Sequence, residues 1–250
     1  MPRAFAGGRS FDVSAVLFDK DGTLFDFKAM WMYLFLRYVA RLKEIAGADE
    51  SLVQELYASM GVSRDGSTID PMGPLALATT SEIRAILAAV LYRHGYPWGE
   101  ATAIVQEATE GFVWPALSEL SHPIGDLERL FRELREAGLR IAVVTTDKRE
   151  RTRQMLELAG VWPLVDALAG EEDVIAPKPA PDGILTVCER LGIAPAQALM
   201  VGDSPADMLA GRAAGTAGCV GVTSGISRRE DLEPYADVVI ESVQELRAEK

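Results

Sequence analysis

The chain has 250 residues, 48% of them hydrophobic and 25% charged, enough for one large globular domain or a core with a smaller insert. Its formal net charge of −12 speaks against nucleic acid as a main partner, and two cysteines and two histidines without ligand-like spacing speak against a zinc site or a disulfide framework. The apolar run Ala15–Phe18 is too short for a signal h-region or a membrane span, so a cytoplasmic protein with no membrane partner is expected.

The first predicted element is Val13–Phe18, a continuous apolar run that stops at Asp19 and reads as a strand buried on both faces. Apolar spacing then predicts helices over Lys28–Ile45, Glu50–Met60, Thr80–His94 and Gly99–Val113. Thr80 and Ser81 read as the cap of the third, Gly61–Pro74 reads as a loop, and no strand is expected between Asp26 and His122. Beyond His122 the pattern alternates. Helices are predicted over Ile124–Ala137, Arg149–Ala159, Pro181–Leu191 and Pro205–Ala214, each followed by a glycine. Strands are predicted over Arg140–Thr145, Val165–Ala169, Ala198–Val201, Gly218–Val222 and Asp237–Ile240. Such alternation defines an α/β fold with a doubly wound parallel sheet. The expected organisation is an α/β core from residues 1–26 and 121–250, interrupted by an all-helical insert at 27–120.

Four segments of this pattern carry polar residues where a sheet of this kind binds ligands, outside the carboxyl ends of its strands. Asp19-Lys20-Asp21-Gly22-Thr23 follows the first strand. It reads either as a plain turn or as a carboxylate pair that needs a cation, with oxygen donors suited to Mg²⁺. Gly202-Asp203-Ser204-Pro205-Ala206-Asp207 opens a helix, and capping by Asp203 or Ser204 is as good a reading as ligand binding. Thr145 and Thr146 end a strand and could hold a phosphate at a helix start, or Thr146 or Asp147 could cap that helix. Lys178 lies in a proline-stiffened segment and, taken alone, reads as a surface lysine.

Taken together and in order, the four segments resemble the motifs of the haloacid dehalogenase superfamily: D-x-D-G-T, a strand ending in Ser/Thr, a lysine before a helix, and G-D-x-x-x-D. The resemblance covers the whole chain and implies a Rossmann-like core with an inserted helical cap, of the phosphoglycolate phosphatase-like branch. It implies Asp19 as the nucleophile that forms an aspartyl-phosphate. Asp21 is implied as the general acid/base, and Thr145, Thr146 and Lys178 as the groups that hold the phosphoryl oxygens. Mg²⁺ is implied on Asp19, the main-chain carbonyl of Asp21, and Asp203, with Asp207 and Thr23 close behind. An acid at position 21 also sets the chain apart from the dehalogenase branch, since a halide leaves without a proton and an alkoxide does not. Lys20 is expected to point outward or toward the cap.

The implied function is a Mg²⁺-dependent phosphatase acting on a small phosphorylated metabolite such as 2-phosphoglycolate or a sugar phosphate. A phosphomutase on the same scaffold and a non-enzymatic phosphate-binding protein are the alternatives, and either a monomer or a homodimer is compatible with the sequence. Asp26, Lys28, Trp31 and Arg37 are candidates near the start of the insert. Arg64 and Arg84 could read a substrate carboxylate, although most arginines are surface charges.

Overall fold

The computed structural model describes residues 2–110 and 116–250. In chain order the first strands are β1 (Arg3–Ala6), β2 (Arg9–Asp12) and β3 (Ala15–Phe18). A π-type turn at Lys28–Met32 leads into helices α1 (Tyr33–Ala46), α2 (Glu50–Ser59), α3 (Pro74–Leu77), α4 (Thr80–Arg93) and α5 (Trp98–Glu110). Then follow α6 (Leu117–Leu120), α7 (Leu127–Glu136), β4 (Arg140–Val144), α8 (Arg149–Leu158), β5 (Ala167–Ala169) and α9 (Asp182–Leu191). The chain closes with β6 (Ala198–Gly202), α10 (Pro205–Ala214), β7 (Gly218–Val222), α11 (Arg229–Leu232), β8 (Val238–Ile240) and β9 (Arg247–Glu249). Two compact units result: Met1–Phe27 with Leu117–Lys250, and Lys28–Ala116.

The first unit is built on a six-stranded sheet in the order β5-β4-β3-β6-β7-β8, parallel at every pairing. The chain runs outward from β3 through β4 to β5, then crosses back to β6 on the other side. The order therefore reverses around β3, which is where a sheet of this type leaves a crevice at its carboxyl edge. β3 is AVLF, with all four residues fully buried, as expected for a strand covered on both faces. Alternate residues serve alternate faces. Ala15 and Leu17 pack in one cluster with Ile184 and Val187 of α9 and Met208 of α10. Phe18 points the other way and stacks on Phe131 of α7, ring centroids 5.4 Å apart.

The second unit is all-helical. α1 buries Leu34, Phe35, Tyr38, Val39 and Leu42, a stripe at helical spacing, and ends on Gly47 at φ 63°. Phe35 meets Tyr57 of α2 edge-on at 5.1 Å. α4 is held by a capping box between Thr79 and Glu82. The cap is thus Thr79, one residue before the expected pair Thr80 and Ser81. Among the described residues this unit has no strand, only the isolated bridge between Val62 and Ile69. Positions 111–113 of the helix predicted over 99–113 lie outside the described residues.

Further features depart from the sequence reading. α7 begins at Leu127 and not at residue 124, because Gly125 sits at φ 74° and Asp126 caps the helix through Arg129 N–H. A small antiparallel sheet, β2-β1-β9, was not anticipated. Its hairpin turns on Gly7-Gly8, both at positive φ, which is the turn that matches strand twist. β9 joins it from the far end of the chain, a pairing that local spacing cannot reveal.

Phe131 is fully buried and in ring contact with Phe18. Phe131→Ala is expected to lower unfolding stability by about 3–5 kcal/mol. A urea titration checks this, and a loss below about 1 kcal/mol would contradict the packing described.

Candidate active site

Asp19 is the first residue after β3, and its N–H still donates to Val201 O at 2.9 Å, so strand geometry carries one residue past the apolar run. It therefore keeps the alternation and points to the face of α9 and α10. There its carboxylate meets Lys178 Nζ, which donates to it, to Asp207 Oδ1 at 2.6 Å and to Val144 O at 3.2 Å. Asp19, Asp203 and Asp207 are all buried, and each offers an oxygen within 4.8 Å of the others. Lys178, read alone as a surface lysine, is 8% exposed.

Each carboxylate has a defined local origin. Asp203 follows β6, the neighbour of β3, and its Oδ2 accepts from Ile226 N–H at 3.0 Å. Asp207 lies one turn into α10 and closes a capping box with Ser204: its Oδ2 accepts from Ser204 N–H at 3.0 Å and Oγ at 2.6 Å. Ser204 thus caps the helix, and the same box aims Asp207 at Lys178. Two glycines make room. A Cβ on Gly22, at φ 86°, would lie 2.3 Å from Asp203 Oδ2, and one on Gly225 would lie 1.9 Å from the same atom.

The remaining predicted residues lie as follows. Thr145 follows β4, is buried, and accepts Asp147 N–H on Oγ1 at 3.0 Å. Thr146 is half-buried beside it. Neither Thr146 nor Asp147 occupies the cap position of α8, which is Lys148. Thr23 is fully buried, and its Oγ1 has no hydrogen-bond partner among the described residues. The carboxylate of Asp21 is not part of the acidic cluster; its Oδ1 accepts from Lys20 Nζ at 2.7 Å. Lys20 corrects the sequence reading. It does not point outward but is fully buried, on the opposite side of the strand from Asp19. Its Nζ lies 3.0 Å from Asp147 Oδ2 and 3.6 Å from Met155 Sδ in α8. Strand alternation carried one residue past Asp19 would have found it. In the helical unit Arg84 pairs with Glu110 at 2.6 Å and Arg64 with Glu50 at 3.9 Å, as surface charges do.

The sequence reading also missed the loop after β7. Ser224 Oγ donates to Gly22 O at 2.8 Å, and Ile226 N–H holds Asp203. Its signal was available, since the loop follows a strand of the same sheet at the same edge.

Burial raises the Asp19 pKa to about 7; Lys178 works against that rise, while Asp207 and Asp21 add to it. Burial likewise pushes Asp203 well above the usual carboxylate range, helped by Asp19 and Asp207. Burial opposes the Lys178 ammonium, yet Asp19 and Asp207 outweigh it and its pKa is raised. Three buried carboxylates facing one ammonium are an arrangement that a hard divalent cation would relieve. The donors are all oxygens, and Asp19 and Asp203 are the two whose ionisation burial opposes most clearly. The residues present therefore fit such an ion.

Comparison with known proteins follows the same lines. The family model for haloacid dehalogenase-like hydrolases matches residues 13–215. The chain belongs to that family. Within it the chain falls with the phosphoglycolate phosphatase-like branch. The phosphoglycolate phosphatase of Escherichia coli O157:H7 is 28% identical over 240 residues, 94% of this chain and 91% of its own. A pyrophosphatase of Bacillus velezensis is 36% identical over 115 residues, 46% of this chain. The chain spans about half the length of that relative, 53%. A solved HAD-superfamily hydrolase of Geobacter sulfurreducens, subfamily IA, aligns over 94% of this chain and 95% of its own with TM-score 0.61 and 23% identity, a likeness of fold. No helix of the described residues is long and apolar enough to cross a membrane.

The raised pKa of Asp19 fixes the sign of a pH effect. Its folded value, about 7, lies above the ordinary 3.8, so the native state holds the proton more tightly and gains stability as pH falls toward the ordinary value. In EDTA the melting temperature is expected to rise as pH is lowered from about 8 to about 5.5, and Asp19→Asn should flatten that slope. A metal-free protein that melts higher at the alkaline end would contradict the assignment.

Proposed function

We propose that this protein is a Mg²⁺-dependent phosphatase that hydrolyses a small-molecule phosphate monoester through an aspartyl-phosphate on Asp19. The observation that carries the reading is the Asp19 carboxylate, buried at the carboxyl edge of the central strand and held by Lys178 beside Asp203 and Asp207. The similarity to phosphoglycolate phosphatase along nearly the whole chain supports a phosphorylated carboxylate or sugar-like ester as substrate. Work in the cytoplasm is part of the same reading.

A carboxylate that attacks a phosphate ester meets like-charge repulsion. Lys178, already between Asp19 and Asp207, would offset it and hold an equatorial phosphoryl oxygen. Thr145 Oγ1, at the end of the neighbouring strand, would donate to a second oxygen while still accepting Asp147 N–H. Asp21 would pass a proton to the leaving oxygen and then take one from the attacking water, so that one carboxyl group serves both halves of the reaction. Mg²⁺, held by Asp19, the Asp21 carbonyl and Asp203, would supply positive charge against the phosphoryl oxygens and keep Asp19 ionised. Asp207 would orient Lys178 and, through its box with Ser204, fix the start of α10. The α/β unit carries this chemistry in the proposal, and the helical unit is the part left to choose among esters.

A phosphate-release screen over 2-phosphoglycolate, sugar phosphates, nucleotides and pyrophosphate tests the reading. Release is expected with Mg²⁺ and not with EDTA, as free phosphate and not as a rearranged phosphorylated product. Asp19→Asn should lower kcat by on the order of 10³-fold or more. Unchanged turnover in that variant would remove the proposed nucleophile. Lys178→Met should lower kcat by about 10²-fold, the scale of losing one charge-stabilising donor.

A further inference from the structure

Lys20 has no part in the reaction as read above, yet it is a fully buried lysine one residue from the proposed nucleophile. Its ammonium bridges Asp21 Oδ1 at 2.7 Å and Asp147 Oδ2 at 3.0 Å, and Asp147 Oδ1 lies 3.1 Å from Arg151. These charges tie the turn after β3 to the turn after β4. Packing alone does not call for them. The Nζ also lies 3.6 Å from Met155 Sδ, and an aliphatic side chain could fill this buried space without taking an ammonium out of water. Replacing a buried ion pair by apolar groups is often neutral or stabilising, so net stability does not account for this one.

We propose that Lys20, anchored by Asp147, is a positioning residue that holds the Asp21 carboxyl by Oδ1 and leaves Oδ2 to carry the transferred proton. The inference rests on the reading of Asp21 as general acid/base. In the first step an Asp19 oxygen bonds to phosphorus and the ester P–O bond breaks. Its electron pair stays on the leaving oxygen, which takes the proton from Asp21 Oδ2. In the second step Asp21 Oδ2 takes a proton from the water that attacks phosphorus, and the Asp19–phosphorus bond breaks. Oδ1 accepts the Lys20 N–H throughout, because the carbonyl oxygen of an acid and an oxygen of a carboxylate are both acceptors. The side chain of Asp21 is 13% exposed, so it keeps a face toward solvent while Lys20 holds it from below.

The test separates positioning of a proton donor from mere packing. A donor matters more as the leaving oxygen becomes more basic. We would measure kcat/KM with Mg²⁺ for substituted phenyl phosphates, from 4-nitrophenyl to phenyl, which differ little in shape and strongly in leaving-group basicity. The wild-type protein should depend weakly on basicity, and Asp21→Asn steeply. Lys20→Met should follow Asp21→Asn, losing about tenfold more on phenyl phosphate than on 4-nitrophenyl phosphate. Equal losses on the two esters, or none, would overturn the proposal and leave Lys20 a packing residue. If Asp21→Asn itself shows no steepening, the general acid/base reading falls, and the role of Lys20 with it. Should Lys20→Met fail to fold by circular dichroism, Asp147→Asn carries the test, since it loosens the anchor and leaves Lys20 and Asp21 in place. About threefold selective loss is then expected on phenyl phosphate, and a parallel loss on both esters overturns the proposal.

Discussion

The organising constraint of this molecule is the burial of three carboxylates against one ammonium at a sheet edge. Asp19 is brought from far away in sequence to Asp203 and Asp207, each carboxylate offers an oxygen within 4.8 Å of the others, and Lys178 donates to Asp19 and Asp207. Burial raises Asp19 to about 7, so the metal-free site is held at the edge of protonation at neutral pH. Much of the surrounding structure serves to hold this arrangement. β3 lies where the strand order reverses, Ser204 fixes Asp207, Ile226 N–H fixes Asp203, and Gly22 and Gly225 let the backbone close on the Asp203 carboxylate. On the proposed reading the same burial has a use: a cation bound beside Asp19 would favour the ionised carboxylate that attacks.

Strand alternation distributes the charges. Asp19 and Lys20 are neighbours in sequence and lie on opposite sides of the sheet. One side gathers Lys178 and Asp207, the other Asp147 and Arg151. Asp21, at the turn between, is bonded to the second group and, on the proposed reading, serves chemistry in the first. The two sets thus meet through a single dipeptide, which is why a lysine at position 20 can bear on events at Asp19 without touching it.

Much of this was legible in the sequence where local rules decide. The parallel half showed itself through apolar runs ending in glycine-punctuated helices, and the six core strands fall within a residue or two of the expected spans. The residues of the acidic cluster stood at strand ends or helix starts and were all named. What escaped reading depended on partners outside the local window. β9 pairs with β1 across nearly the whole chain, Lys178 looks like any lysine until β3 and α10 enclose it, and Ser224 reaches Gly22 from 202 positions away. Lys20 is the instructive miss. The sequence reading expects it outward or toward the cap, and two acids, Asp21 and Asp147, give a buried ammonium its partners.

Membership of the haloacid dehalogenase-like hydrolases agrees with this geometry, and the central chemical claim is a covalent phosphoryl group on one aspartate. Borohydride reduction of acid-quenched enzyme, taken during turnover of a substrate found by phosphate release, tests it most directly. Reduction of an acyl phosphate converts the aspartate to homoserine, which peptide mass spectrometry locates. The account predicts that residue 19 alone is converted, and only when substrate and Mg²⁺ are both present. Conversion at another carboxylate, or none at residue 19 under steady turnover, would contradict it.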